Sequence, residues 1–173
     1  MRLPLTSLAL LFALATPPVF ADDLASAQRL WLAGQKTQAA DLVAQALTRT
    51  PDDLQLRFAL GVMQMELGER AKAQALFTQL TQDFPDLADP FNNLAVLHAA
   101  AGDLDAAQAA LQQALRLQPE HAQALENLGD VLVRLALRAY QRAQKASVAP
   151  GDALAGKISR TLDLAGPLKQ MTR

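Results

Sequence analysis

The sequence predicts an all-α fold, a right-handed α-solenoid of helix–turn–helix units. Three observations carry this. Gly34, Gly68 and Gly102 recur every 34 residues, and Pro51, Pro85 and Pro119 keep the same step. Between them, apolar residues fall at helical spacing, as in Leu56, Leu60, Met63 and Leu67. Repetition at that period is the mark of a stacked-repeat architecture. Further series hold the register from Gly34 to Gly129 without insertion or deletion. They are Ala39, Ala73 and Ala107; Val43, Phe77 and Leu111; Ala46, Leu80 and Ala114; and the pairs Leu60-Gly61, Leu94-Ala95 and Leu128-Gly129. An Ala/Leu-rich composition aligns Ala and Leu by accident, but it does not align the Gly and Pro series as well.

Composition bounds what such a chain does. With 51% hydrophobic residues the 173-residue chain is too apolar to be disordered. The balance of 16 Lys+Arg against 17 Asp+Glu leaves no basic excess for nucleic acid. The absence of Cys excludes disulfides, zinc–thiolate sites, iron–sulfur clusters and cysteine nucleophiles.

Residues 1–21 have the three-part layout of a secretory signal peptide. Met1-Arg2 is a short positive start, Leu3 to Ala15 is apolar, and Val19 and Ala21 are small residues before Asp22-Asp23. Cleavage is expected after Ala21, which places the protein in the periplasm or outside the cell. The alternative is an uncleaved anchor, but the run is short for ~30 Å of hydrocarbon and Pro17-Pro18 breaks a helix there. No later segment is apolar enough to span a membrane, so no stable insertion is expected after cleavage. A core of about 150 residues suffices without disulfides.

The first unit covers residues 22–53. Ser26-Ala27 stands where later units have Leu-Gly or Leu-Ala, and Leu30 and Trp31 supply its bulk. The second covers 54–87. Asp52 or Asp53 caps its first helix, with Gln55 at a capping-box position, and Gly68 stops it. Arg70 to Asp83 returns, and Pro85 ends the unit. Gly61 and Ala73 are small where antiparallel helices approach closely. The third covers 88–121. In the fourth, 122–148, no Gly or Pro marks a turn, and Ala136, Tyr140 and Ala143 repeat the spacing of a second helix. The simplest account is a lost turn and one helix from Ala122 to Val148; a kinked pair near Arg134–Arg138 is the alternative. Residues 149–173 hold a break at Ala149-Pro150-Gly151, a short helix capped by Asp152 and running to about Ala165, and a tail after Gly166-Pro167.

These units resemble the tetratricopeptide repeat family. That family has a 34-residue helix–turn–helix unit with a Leu-Gly pair, a turn Gly, an Ala, a large apolar residue, another Ala and a closing Pro. The resemblance covers about residues 22–135 and implies a protein-interaction scaffold.

A search for chemistry finds little. His98 falls on an inter-helix face and reads as a packing residue; His121 follows Pro119 in a connector and reads as solvated. They lack the i, i+4 spacing of a zinc helix. Asp83, Asp86 and Asp89 lack the ligand ladder of a calcium loop, and helix capping accounts for Asp86 and Asp89. Ser26, Ser147 and Ser159 lie in no nucleophile elbow, and no phosphate loop is present. No catalytic residue, cofactor or metal is expected, and the chain is read as a non-enzyme.

What remains is a surface. The first helices of the units line the inside of the superhelix. The candidate groove residues are Trp31, Phe58, Val62, Met65, Asn93, Val96, Asn127, Asp130 and Arg134. Phe58, Val62, Met65 and Val96 are expected to form an apolar patch facing the groove. The resemblance implies that Asn93 and Asn127 hold an extended peptide backbone; the alternative is that they bond neighbouring helices. Family members that clamp a C-terminal carboxylate carry inner Lys and Arg, but Leu24, Gln28, Phe58, Val62 and Asp89 stand here, with Arg134 the one base among them. The expected function is therefore an adaptor that docks a neutral or apolar segment of a cell-envelope protein. The alternative is a structural or self-assembling subunit, a homo-oligomer docked through the long fourth helix or through an exposed apolar end of the solenoid.

Overall fold

A computed structural model describes residues 20–148 and 151–166. Residues 1–19, nearly all of the expected signal peptide, lie outside these, as do Ala149-Pro150 and the tail from Pro167. Among the described residues the chain is eight α-helices with no strand. They are α1 Phe20–Leu32, α2 Lys36–Arg49, α3 Leu54–Glu66, α4 Arg70–Asp83, α5 Ala88–Ala100, α6 Leu104–Leu117, α7 Ala122–Ala146 and α8 Asp152–Ala165. Each packs on the next, and α3, α5 and α7 also touch at every second step, which makes an α-solenoid.

The 34-residue series explain the helix ends. Gly34, Gly68 and Gly102 have φ of 80°, 77° and 83°, a left-handed backbone that favours residues without Cβ. At Gly68 the amide donates to Met65 O, and Glu69 N donates to Gln64 O, five residues back. The same pair of bonds closes α1 and α5, so all three turns are Schellman caps. Pro51, Pro85 and Pro119 each follow a helix cap, Thr50, Phe84 and Gln118, whose φ lies near −135°. A residue before proline is driven out of the helical region, so the second helix of each unit stops there.

The same series build the core. Ala39, Val43 and Ala46 in α2, Ala73, Phe77 and Leu80 in α4, and Ala107, Leu111 and Ala114 in α6 are all fully buried. They form three successive clusters between first helices, with Leu56 and Met63 in one, Leu97 in the next, and Ala95, Ala124 and Val131 in the third. Gly61 sits where α3 and α4 cross. A Cβ there would lie 2.8 Å from Phe77 Cζ.

The fourth unit has no turn. α7 runs 25 residues without a break, about 37 Å at ~1.5 Å per residue. It ends at Ala146 rather than Val148. α8 doubles back on it, with Lys157 Nζ 5.8 Å over the Tyr140 ring.

Several expected caps differ. Asp53, not Asp52, caps α3, its carboxylate accepting from Leu56 N at 3.0 Å. That places Gln55 one residue short of the capping-box position. Gly151, not Asp152, is the residue before α8. Leu87 precedes α5 with no side-chain cap, so neither Asp86 nor Asp89 caps that helix.

Candidate interaction groove

α1, α3 and α5 line a common cleft of about 740 Å³. Leu24 and Gln28 come from α1, and Leu54, Gln55, Phe58 and Ala59 from α3. Ala88, Asp89 and Pro90 come from α5, and Asp86, Leu87, Leu117 and Gln118 close the ends. Successive first helices of a solenoid lie side by side, so side chains spaced by about one turn from each converge on one hollow. Most of the lining is apolar, the amides are Gln28, Gln55 and Gln118, and the charges are the carboxylates of Asp86 and Asp89.

Phe58 belongs to both cleft and core. Its ring meets Phe77 edge-on, with centroids 5.6 Å apart and planes at 78°. Val62 and Met65 are half-buried against the Phe77 and Leu80 cluster and do not line the cleft. Val96 is buried, 5% exposed. The expected open patch of Phe58, Val62, Met65 and Val96 is therefore corrected. Only Phe58 among them lines the cleft; Val62 and Met65 pack on the cluster that α4 supplies, and Val96 is buried within α5. Trp31 is half-buried on the first cluster, with Lys36 Nζ 4.9 Å over its ring.

Asn127 is also placed differently. It is buried, and its Nδ2 donates to Asn92 Oδ1 at 2.8 Å while its own Oδ1 accepts from Gln123 Nε2. Its amide is spent between α5 and α7, in line with the inter-helix alternative rather than backbone capture. Asn93 is half-buried. Asp130 is exposed, and Arg134 Nη1 donates to Ala99 O at 3.4 Å. Of the nine candidates, Phe58 alone lines the cleft, and Val96 and Asn127 are buried.

Sequence reasoning missed two polar residues. Arg57 is 7% exposed, donates to Asp83 Oδ2 at 2.6 Å and lies 5.9 Å over the Phe84 ring. His121 is not solvated; its side chain is 13% exposed. Nδ1 accepts from Ala124 N at 3.3 Å and so caps α7, while Nε2 meets Asp89 Oδ1 at 2.8 Å. One ring nitrogen accepting and the other donating is the neutral Nε2–H tautomer. The signal for His121 was its place two residues after the closing Pro119, directly before an Ala-rich helix.

At the far end, Arg138 Nη2 on α7 donates to Asp105 Oδ1 on α6 at 2.7 Å. That hydrogen bond, with the Arg138 charge, holds the Asp105 carboxyl below the usual carboxylate range. No group of three or more His, Cys, Asp or Glu among the described residues converges on a metal-sized site. No helix there is long and apolar enough to cross a membrane.

Two family models, both described as tetratricopeptide repeat, match residues 30–95 and 92–143. The chain carries tetratricopeptide repeats. Solved structures share the fold. One is YrrB, described as a TPR protein with an unusual peptide-binding site, at 24% identity and TM-score 0.58 over 65% of this chain and 57% of that one. The first TPR of Spaghetti (RPAP3), bound to an HSP90 peptide, is 15% identical with TM-score 0.63, covering 68% and 93%. PcrH from Pseudomonas aeruginosa is 23% identical with TM-score 0.62, covering 72% and 99%.

Proposed function

We propose that this tetratricopeptide chain is a non-enzymatic adaptor that docks an extended segment of a cell-envelope protein in the cleft of α1, α3 and α5. The cleft carries the reading. It is large enough for several side chains, its lining is mostly apolar, and its amides suit a peptide backbone. Two solved repeats of the same fold are described as peptide-binding. The signal-peptide layout of residues 1–21 supports the compartment. A non-catalytic role is supported by an arrangement in which His121, Asp89, Arg57 and Asp83 are bonded to one another or to helix ends.

A photo-crosslinking residue at Gln55 tests the groove in living cells. An envelope protein is expected to be captured, and Ala59→Trp, which fills the cleft, abolishes capture while the thermal melt stays unchanged. Capture that survives Ala59→Trp overturns the reading. Sequencing the N-terminus of the fractionated protein tests the compartment: it starts at Asp22 if the peptide is removed, and an intact Met1 in the cytoplasm overturns that part.

A further inference from the structure

The cleft carries two charges of one sign and none of the other. Asp86, between α4 and α5, and Asp89, in the first turn of α5, both line it, and no Lys or Arg does. Arg134, the base expected among the inner positions, lies outside the cleft and donates to Ala99 O. The side chain of Asp86 makes no hydrogen bond or ion pair among the described residues. Asp89 Oδ1 meets His121 Nε2, but His121 Nδ1 accepts from Ala124 N, so the ring is neutral and the Asp89 charge stays unbalanced. That carboxylate is 67% exposed. Bases on α2, α3 and α4 are held by other acids: Lys36 by Glu66, Arg49 by Asp23, Arg57 by Asp83 and Lys72 by Glu69.

These carboxylates decide what covers the cleft at least cost. In the open cleft, water solvates them. A docked segment removes part of that water, and an uncharged one returns nothing for it. An acidic segment adds repulsion between like charges. A lysine or arginine set on Asp86 and Asp89 replaces the lost water with N–H donors and an opposite charge. The rest of the lining asks for something else. Leu24, Leu54, Phe58 and Leu117 offer apolar surface, and the glutamines offer amides to a backbone.

We propose that the segment docked in this cleft is apolar with a single basic residue, a lysine or arginine seated on Asp86 and Asp89. This rests on the groove reading above and narrows its occupant. Charge complementarity turns away an acidic chain end and selects a cationic apolar segment.

Selection of random linear peptides displayed on phage, against the purified chain, supplies the probe. Enriched sequences are expected to carry one Lys or Arg among apolar residues, and none to be acidic. A synthetic copy of the enriched peptide is expected to bind Asp86→Asn/Asp89→Asn about fivefold more weakly, the size of two exposed ion pairs. Asp89→Asn keeps an acceptor for His121 Nε2, so the thermal melt stays unchanged. Raised salt is expected to weaken binding to the parent but not to that variant. Asp41→Asn, exposed on α2, behaves as the parent does.

Enriched peptides that lack a basic residue and are blocked by Ala59→Trp overturn the inference and leave the groove reading standing. So do basic peptides that the double variant binds as tightly as the parent. Peptides that still bind Ala59→Trp lie outside the cleft and overturn it, as does a selection that enriches nothing; capture from Gln55 then decides the groove reading alone. Capture from Gln55 of residues 167–173 of the same chain, or of a second copy, gives the cleft another occupant and overturns it too.

Discussion

The ring of Phe77 occupies the space that a side chain on residue 61 would fill: Cζ stands 2.8 Å from the position of a Cβ on Gly61. The 34-residue equivalents of this pair are Ala95 with Leu111, and Gly129 with no partner. A smaller apolar residue opposite allows alanine in the third unit, and the missing helix allows anything in the fourth.

Two substitutions that look alike in the sequence are therefore expected to differ. Gly61→Ala forces Phe77 aside and costs about 1–3 kcal/mol, the usual range for overpacking a core. Gly129→Ala meets open space and gains about 0.5–1 kcal/mol from the better helix former. Urea unfolding of both variants checks this.

Asn92 and Asn127 bond at 2.8 Å in a buried seam. Asn127→Ala leaves Asn92 Oδ1 without its donor, and the expected loss is about 1–3 kcal/mol of stability. Partner binding in the cleft is expected to survive, because Asn127 does not line it. A variant with unchanged stability but lost binding contradicts the inter-helix role.

His121 joins α5 to the start of α7 through both ring nitrogens. His121→Ala removes the N-cap acceptor and should cost about 0.5–2 kcal/mol. Amide exchange locates the effect: faster exchange is expected in the first turn of α7, at Ala124, with α2 unaffected.

The Asp105–Arg138 link gives a pH prediction. A carboxyl whose folded value is depressed stabilises the fold above the unfolded value, and that contribution disappears as pH falls through the folded value. The hydrogen bond from Arg138 depresses Asp105, so the α6–α7 contact is expected to hold at neutral pH and weaken only in acid, below the usual carboxylate range. The Asp105 carboxyl resonance should titrate low in the parent and return to the ordinary range in Arg138→Ala. Both side chains are exposed, so raised salt should also shrink the shift.

The groove was less legible than the fold. Inward positions counted along each first helix selected Phe58, which lines the cleft, but also Val96 and Asn127, which are buried. Their burial depends on how closely neighbouring first helices sit, which a helical period does not contain. Leu24 and Gln28 stand among the inner positions read from the sequence, whereas Leu87, Pro90 and Leu117 join them in the cleft only through packing between units, a relation across more than 60 residues of chain.

By itself the sequence determined the repeat. The glycines at positive φ and the prolines after each second helix act through local backbone sterics, so position along the chain suffices to mark where the helices of the first three units end. The tertiary structure decided which side chains remain open to a partner. That depends on packing between units, and packing put Arg57 and Asn127 inside, gave His121 its two bonds, and left Leu125, Gly129 and Leu132 facing water where a return helix is missing.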